Sequence, residues 1–200
     1  NRNMTKDWLS MTASTLGRSI EVGDIDPVEL MEMYFETAKS HPFSDKIFAR
    51  FTESRALNES KSSRVRARKG TRKSLLDGVP ISWKDLFDTA GVVTEAGSLL
   101  LEKRTPEIDA DVLKNATDAG LVCFGKTHMS ELAFSGLGVN PITNTPPCIN
   151  DFSAAPGGSS SGAAASVAFN LAVAGIGSDT GGSVRIPAAW NDLVGLKTTI

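Results

Sequence analysis

Two clusters of glycine and serine carry the chemistry open to this chain: GGSSSG at residues 157–162 and TGGS at residues 180–183. A serine hydroxyl beside glycines suits attack on a carbonyl, because glycines let backbone N–H groups approach the oxyanion that forms. Two geometries fit. Residues 158–162 read GSSSG and match the G-x-S-x-G elbow, with Ser160 as nucleophile. That elbow needs a strand before it and a histidine after it. The two histidines, His41 and His128, both lie upstream, so this geometry requires a histidine beyond Ile200. In the second geometry Ser183 is the nucleophile. It sits behind Thr180, Gly181 and Gly182, whose consecutive N–H groups can converge on one developing charge. Such donors are typically worth about 3 kcal/mol each in barrier terms. With no histidine nearby, the base must be another group. A lysine serves if burial keeps it neutral, since desolvation disfavours the ammonium. Lys84 has an apolar run, residues 79–83, directly before it and DTAG soon after. Composition alone does not place Lys84 beside Ser183.

The elements that must position these residues read as alternating helices and short apolar strands. Residues 160–170 are Ala-rich and predict a helix, residues 171–176 a buried strand, and Gly181-Gly182 a tight turn before a short helical start at 187–190. Residues 135–158, rich in Gly, Pro and Asn, predict a long ordered loop over the site. A helix over 109–119 with Gly120 as its cap leads into a strand at 121–124. Residues 120–127, GLVCFGKT, match G-x-x-x-x-G-K-[ST]. A phosphate-cradling loop must follow a strand and open a helix, whereas here the middle residues are the strand, so the match is rejected and Lys126 reads as a strand-end residue. Upstream, a helix is expected over 8–20. A second starts at Asp26-Pro27 and stops at His41-Pro42, with Val28, Met31, Tyr34, Phe35 and Ala38 on its apolar face. A short strand at 47–51 and a polar helix over 52–69 follow. That helix ends in Arg64, Arg66, Arg68 and Lys69, followed by Arg72 and Lys73, and reads as a solvated end whose cations suit the helix dipole.

Composition bounds the rest. Two hundred residues, 40% hydrophobic and 22% charged, suit one globular domain. A net charge of −2 exerts no pull toward nucleic acid or an acidic membrane. Two cysteines make no disulfide framework, and the N-terminus NRNMTKDW lacks a signal-peptide core. No run approaches the ~20 apolar residues of a membrane span, so a cytoplasmic location is expected. Cys123, His128 and Cys148 are too few and too irregular for zinc, and neither metal nor cofactor is expected. The chain starts at Asn1 and stops at Ile200 inside an apolar run, and is expected to be a piece of a longer protein.

The pieces GVPISWKD, GKTHMSELAFSG, APGGSSSGAAASVA and GSDTGGSVRIPAA, in this order, resemble the amidase signature family. The resemblance runs from the N-terminal helices to LVGLK. It implies an α/β fold with a mixed β-sheet core covered by helices on both faces, here incomplete: a helical segment over residues 1–70 and a catalytic core over 71–200. It implies amide C–N cleavage through an acyl-enzyme, with a Ser-Ser-Lys triad of Lys84, Ser159 and Ser183. Ser159 would be the bridging serine, preceded by a cis peptide bond. An oxyanion hole at Thr180, Gly181 and Gly182, support from Ser160, Asp179 and Arg185, and substrate contact near Ala133 are implied with it. Family members commonly carry Asn where this chain has His128. The substrate is expected to be a small amide, with a homodimer or a partner subunit compatible. The family also includes the amidase-like subunit of tRNA-dependent amidotransferases, which releases ammonia from glutamine.

Overall fold

A computed structural model describes residues 7–199; residues 1–6 and Ile200 lie outside it, and with them most of the stretch read for a signal sequence. The N-terminal third is helical because caps and apolar faces agree. Helix α1, Ala13–Glu21, starts where the Thr12 hydroxyl accepts the Thr15 N–H at 3.2 Å, several residues after the start expected from the apolar spacing. Helix α2, Pro27–Ser40, opens as expected: Asp26 Oδ1 accepts the Val28 N–H at 2.8 Å, and proline takes the first turn. Its buried face holds Val28, Leu30, Met31, Tyr34 and Ala38. A short helix α3, Ser44–Ile47, leads into strand β1, Phe48–Phe51, and then helix α4, Glu53–Lys69.

The basic end of α4 is not simply solvated. Arg66 makes two 2.7 Å bonds to the fully buried Asp77 carboxylate, Arg64 Nε lies 2.7 Å from Asp26 Oδ2, and Arg72 donates to the Leu75 and Asp77 carbonyls. Arg64 ties α4 to the start of α2 and Arg66 ties it to the loop before the next strand, within which Arg72 makes its own bonds. A helix dipole acts only within the last turn, whereas the carboxylates that hold Arg64 and Arg66 lie on other elements.

Strand β2, Pro80–Lys84, is followed by a long excursion with a 3₁₀ turn at Leu99–Leu101, then helix α5, Asp111–Asp118, and strand β3, Val122–Thr127. Helix α6, Ser161–Ala168, strand β4, Gly175–Ile176, and helix α7, Arg185–Trp190, complete the order. The sheet is mixed, in the order β1-β3-β2-β4, with β1 antiparallel to β3 and β2 parallel to both β3 and β4. Strand β4 is shorter and more exposed than the buried run expected over 171–176. Strand β3 is longer than expected, so Lys126 lies inside it.

Alternation along β2 gives the sheet two covered faces. Ile81 and Trp83 pack with Leu113 of α5 and with Cys123. Ser82 faces the other way and meets Ser166 of α6 at 2.8 Å. On the α6 side, Val122, Phe124 and Ala165 share a core with Leu16, Ile20, Leu30, Met31 and Tyr34 of the N-terminal helices. Among the described residues no helix is long and apolar enough to cross a membrane.

Candidate active site

Lys84 is the last residue of β2, and strand parity turns it to the α6 side of the sheet. It is fully buried. Its Nζ lies 2.6 Å from Ser159 Oγ and 2.8 Å from Ser178 Oγ. Burial pushes the ammonium down to about 7, opposed by the negative charge of Asp179. A lysine at that value is substantially neutral at physiological pH and can accept a proton.

Ser159 reaches Lys84 because the segment before α6 is packed backbone against backbone. The Gly158–Ser159 peptide bond is cis. A Cβ at Gly158 would stand 2.5 Å from Gly138 N and 2.7 Å from Ser130 Oγ, so no larger residue fits there. A Cβ at Gly162 would stand 2.6 Å from both His128 N and Ile47 O. This close approach lets the Gly162 N–H donate to the His128 carbonyl at 2.9 Å and seats the first turn of α6 on the end of β3. The His128 ring nitrogen Nε2 meets the Asp45 carbonyl at 3.1 Å, so His128 helps hold α3 and stands apart from the lysine.

The second cluster is shaped by Asp179. Its carboxylate accepts the N–H groups of Gly182 (2.8 Å), Val184 (3.2 Å) and Arg185 (3.3 Å), and both a 2.9 Å Nε bond and a 2.9 Å Nη2 bond from the Arg185 guanidinium. Arg185, together with those amides, holds the carboxyl well below the usual carboxylate range. The result is a tight turn over residues 180–184. Gly182 N–H is committed to Asp179. Among the described residues, the N–H groups of Thr180, Gly181 and Ser183 meet no acceptor, and they are the donors left for an oxyanion. The Ser160 N–H donates to the Ser183 carbonyl at 3.2 Å, and Ser160 Oγ bonds the Ser178 backbone at 3.3 Å. These bonds bring the two hydroxyl clusters side by side. No hydrogen bond joins Ser183 Oγ to Ser159 Oγ among the described residues. Ala133 ends the 3₁₀ turn Glu131–Ala133, with φ +60°, and this turn is tied to the site through the Ser130 N–H to Ser159 carbonyl bond, 3.1 Å.

Sequence reasoning missed Ser178, the second hydroxyl on Lys84. The signal was present: it lies one residue before Asp179, just after the short strand β4. A small polar residue at a strand end is common, and only the fold shows what it touches.

Known proteins resemble this chain over the same residues. The family model described as Amidase matches residues 29–200. A curated relative, a glutamyl-tRNA(Gln) amidotransferase subunit of Anaeromyxobacter dehalogenans (strain 2CP-C), is 41% identical over 185 residues; the match covers 92% of this chain and 37% of that protein. Among solved structures, one described as an amidase is 36% identical with a TM-score of 0.81, covering 90% of this chain and 41% of its own. The native peptide amidase of Stenotrophomonas maltophilia is 31% identical with a TM-score of 0.83, covering 90% and 38%. The chain thus spans about two fifths, or less, of the length of these relatives.

Proposed function

The chain belongs to the Amidase family, and from that premise we propose that it carries the catalytic residues of an amidohydrolase that cleaves an amide C–N bond through a serine acyl-enzyme. The observation that carries this reading is the 2.6 Å contact between a buried, weakly basic Lys84 and Ser159. Neutral Lys84 accepts the Ser159 proton as Ser159 takes one from Ser183, whose Oγ turns toward it when substrate binds. Ser183 Oγ then bonds the carbonyl carbon, and the oxyanion rests on the free N–H groups of Thr180, Gly181 and Ser183. The relay returns the proton to the leaving nitrogen, the C–N bond breaks, and an amine or ammonia departs. Water, deprotonated by the same relay, attacks the ester carbonyl and releases the acid and the free Ser183 hydroxyl. Asp179 and Arg185 hold the turn, Ser160 ties the two clusters together, and the 131–133 turn borders the substrate at Ala133. A serine-directed phosphonate tests the assignment in full-length protein: wild type is labelled, and Ser183→Ala is not. Labelling of Ser183→Ala at the wild-type rate would overturn it.

A second reading is favoured by the 41% identity to the glutamyl-tRNA(Gln) amidotransferase relative. Here the same residues release ammonia from glutamine for a partner subunit. Co-purification with partner subunits and strict dependence on glutamine would select this reading. Hydrolysis of simple amides by the isolated protein would select the first.

A further inference from the structure

The mechanism leaves Asp85, the neighbour of Lys84, without a role, although it is 2% exposed and bonded on every side. Its N–H donates to the Thr127 carbonyl at 3.1 Å, and its carbonyl accepts the Ala96 N–H at 3.0 Å. Its Oδ1 meets Arg50 Nη1 from β1 and, at 3.3 Å, Lys126 Nζ from β3. Its Oδ2 accepts the Glu95 N–H at 3.1 Å. Two cations and an amide therefore converge on one carboxylate, and the Glu95–Ala96 segment is gripped by both the side chain and the main chain of Asp85. Arg50 grips it again, through Glu95 Oε2 at 3.0 Å.

The clamped segment reaches the active site. The Ala96 carbonyl accepts the Leu132 N–H at 2.9 Å, and Ser98 Oγ donates to Glu131 Oε1 at 2.8 Å. The turn at Glu131–Ala133 is thereby fixed from behind. The Ser130 N–H then donates to the Ser159 carbonyl. These links form a closed ring: Lys84, Asp85, Ala96, the 130–132 backbone, Ser159, and back to Lys84 through the Nζ–Oγ bond. We infer that Asp85 is a positioning residue: its main chain is a link of this ring, and its carboxylate clamps the adjoining Glu95 N–H, Arg50 and Lys126 so that the ring stays rigid, holding Lys84 in line with Ser159 and setting the 131–133 turn beside them. It acts through Lys84 and touches no reacting atom. An asparagine would keep the size, lose the charge, and leave Arg50 and Lys126 facing each other across an amide.

The inference rests on Lys84 acting as the base. Full-length Asp85→Asn, Asp85→Glu and the double variant Asp85→Asn/Lys126→Met test it, with ammonia release from glutamine and from a small carboxamide measured beside thermal melting. Misalignment of a catalytic group by about 1 Å costs about 10²-fold, and kcat of Asp85→Asn is expected to fall by about that factor while KM stays within about threefold. The double variant removes one cation with the anion and is expected to regain melting temperature but not kcat. Asp85→Glu, which restores a carboxylate, is expected to recover part of kcat. Recovery of kcat in step with melting temperature in the double variant would mean that Asp85 only stabilises the fold, and would overturn the inference. Should the Asp85→Asn variants not fold, Arg50→Lys keeps the charge but loses the fork that spans Asp85 and Glu95. A fall in its kcat at constant KM supports the inference, and an unchanged kcat overturns it. Failure of the underlying reading looks different: Lys84→Ala would then retain phosphonate labelling whatever Asp85 does.

Discussion

Lys84 and Lys126 end up on neighbouring parallel strands, both with no exposed surface, yet the two sites differ in kind. Lys126 Nζ has a carboxylate, Asp85, at 3.3 Å, and donates to the Phe87 carbonyl at 2.8 Å and to Thr94 Oγ at 3.1 Å. Burial lowers its pKa, but Asp85 opposes that effect, and its three donors are all used. It is a charged pin for the loop after β2. Lys84 Nζ has two hydroxyls for partners and only the more distant charge of Asp179 in support, so burial takes it to about 7. A carboxylate in contact favours the charged form of a buried amine; hydroxyls alone leave it free to take up a proton, the role proposed for Lys84.

The strand register creates the difference. Ile81 pairs with Cys123, but Ser82 pairs with Gly125, so Phe124 is an extra residue on β3. Beyond this bulge Lys126 lies opposite Trp83, and Thr127 opposite Lys84. Without the bulge the two lysines would sit side by side on one face of the sheet, with two ammonium groups competing for one site.

Replacing either lysine should separate the two sites most sharply. Lys84→Ala is expected to lower amide hydrolysis per folded molecule by about 10³-fold, the usual size of a general-base contribution. Lys126→Met should leave it within about tenfold, because Arg50 still holds Asp85; steady-state assays of both variants check this. Stability should invert the order. Lys126→Met strips one partner from a buried carboxylate that Arg50 still holds and is expected to cost about 3 kcal/mol in denaturant unfolding, the low end for a broken buried pair. Lys84→Met at pH 7 should match or exceed wild type, since it removes an amine whose ammonium is penalised by burial.

A pH series sharpens the contrast further. The folded pKa of Lys84 lies near 7, below the ordinary lysine value, so the unfolded chain binds the extra proton between them. Wild-type stability relative to Lys84→Met should therefore rise with pH from about 7 to about 10.4, the unperturbed lysine value. Hydrolysis should fall as pH drops through about 7, where the base takes up its proton. The smallest expected effect is that of Ser178→Ala. Removing one of the two hydroxyls on Lys84 costs about one hydrogen bond, roughly 1 kcal/mol, or about fivefold in rate.

Much of this was legible in the chain. Asp26-Pro27 marks the start of α2, the residues before β2 and α6 carry their turns, and the GGSSSG and TGGS clusters mark the site, because caps, turns and glycines act over a few residues. Lys84 stood out as the lysine with an apolar strand directly before it and DTAG soon after, and Lys126 read as a strand-end residue, yet neither local pattern shows what either amine touches. Ser178, the ring through Asp85, and the partners of Arg64 and Arg66 were invisible for one reason: each depends on contacts between segments that only the fold brings together.

By itself, then, the sequence determined which residues could do chemistry and which short elements carry them, since hydroxyl, amine and glycine are properties of single residues and their immediate neighbours. Tertiary structure alone decided which buried lysine meets hydroxyls and which meets a carboxylate. That choice depends on a bulge at Phe124 and the pairing of β2 with β3, and a shift of one residue in that register moves a side chain from one face of the sheet to the other.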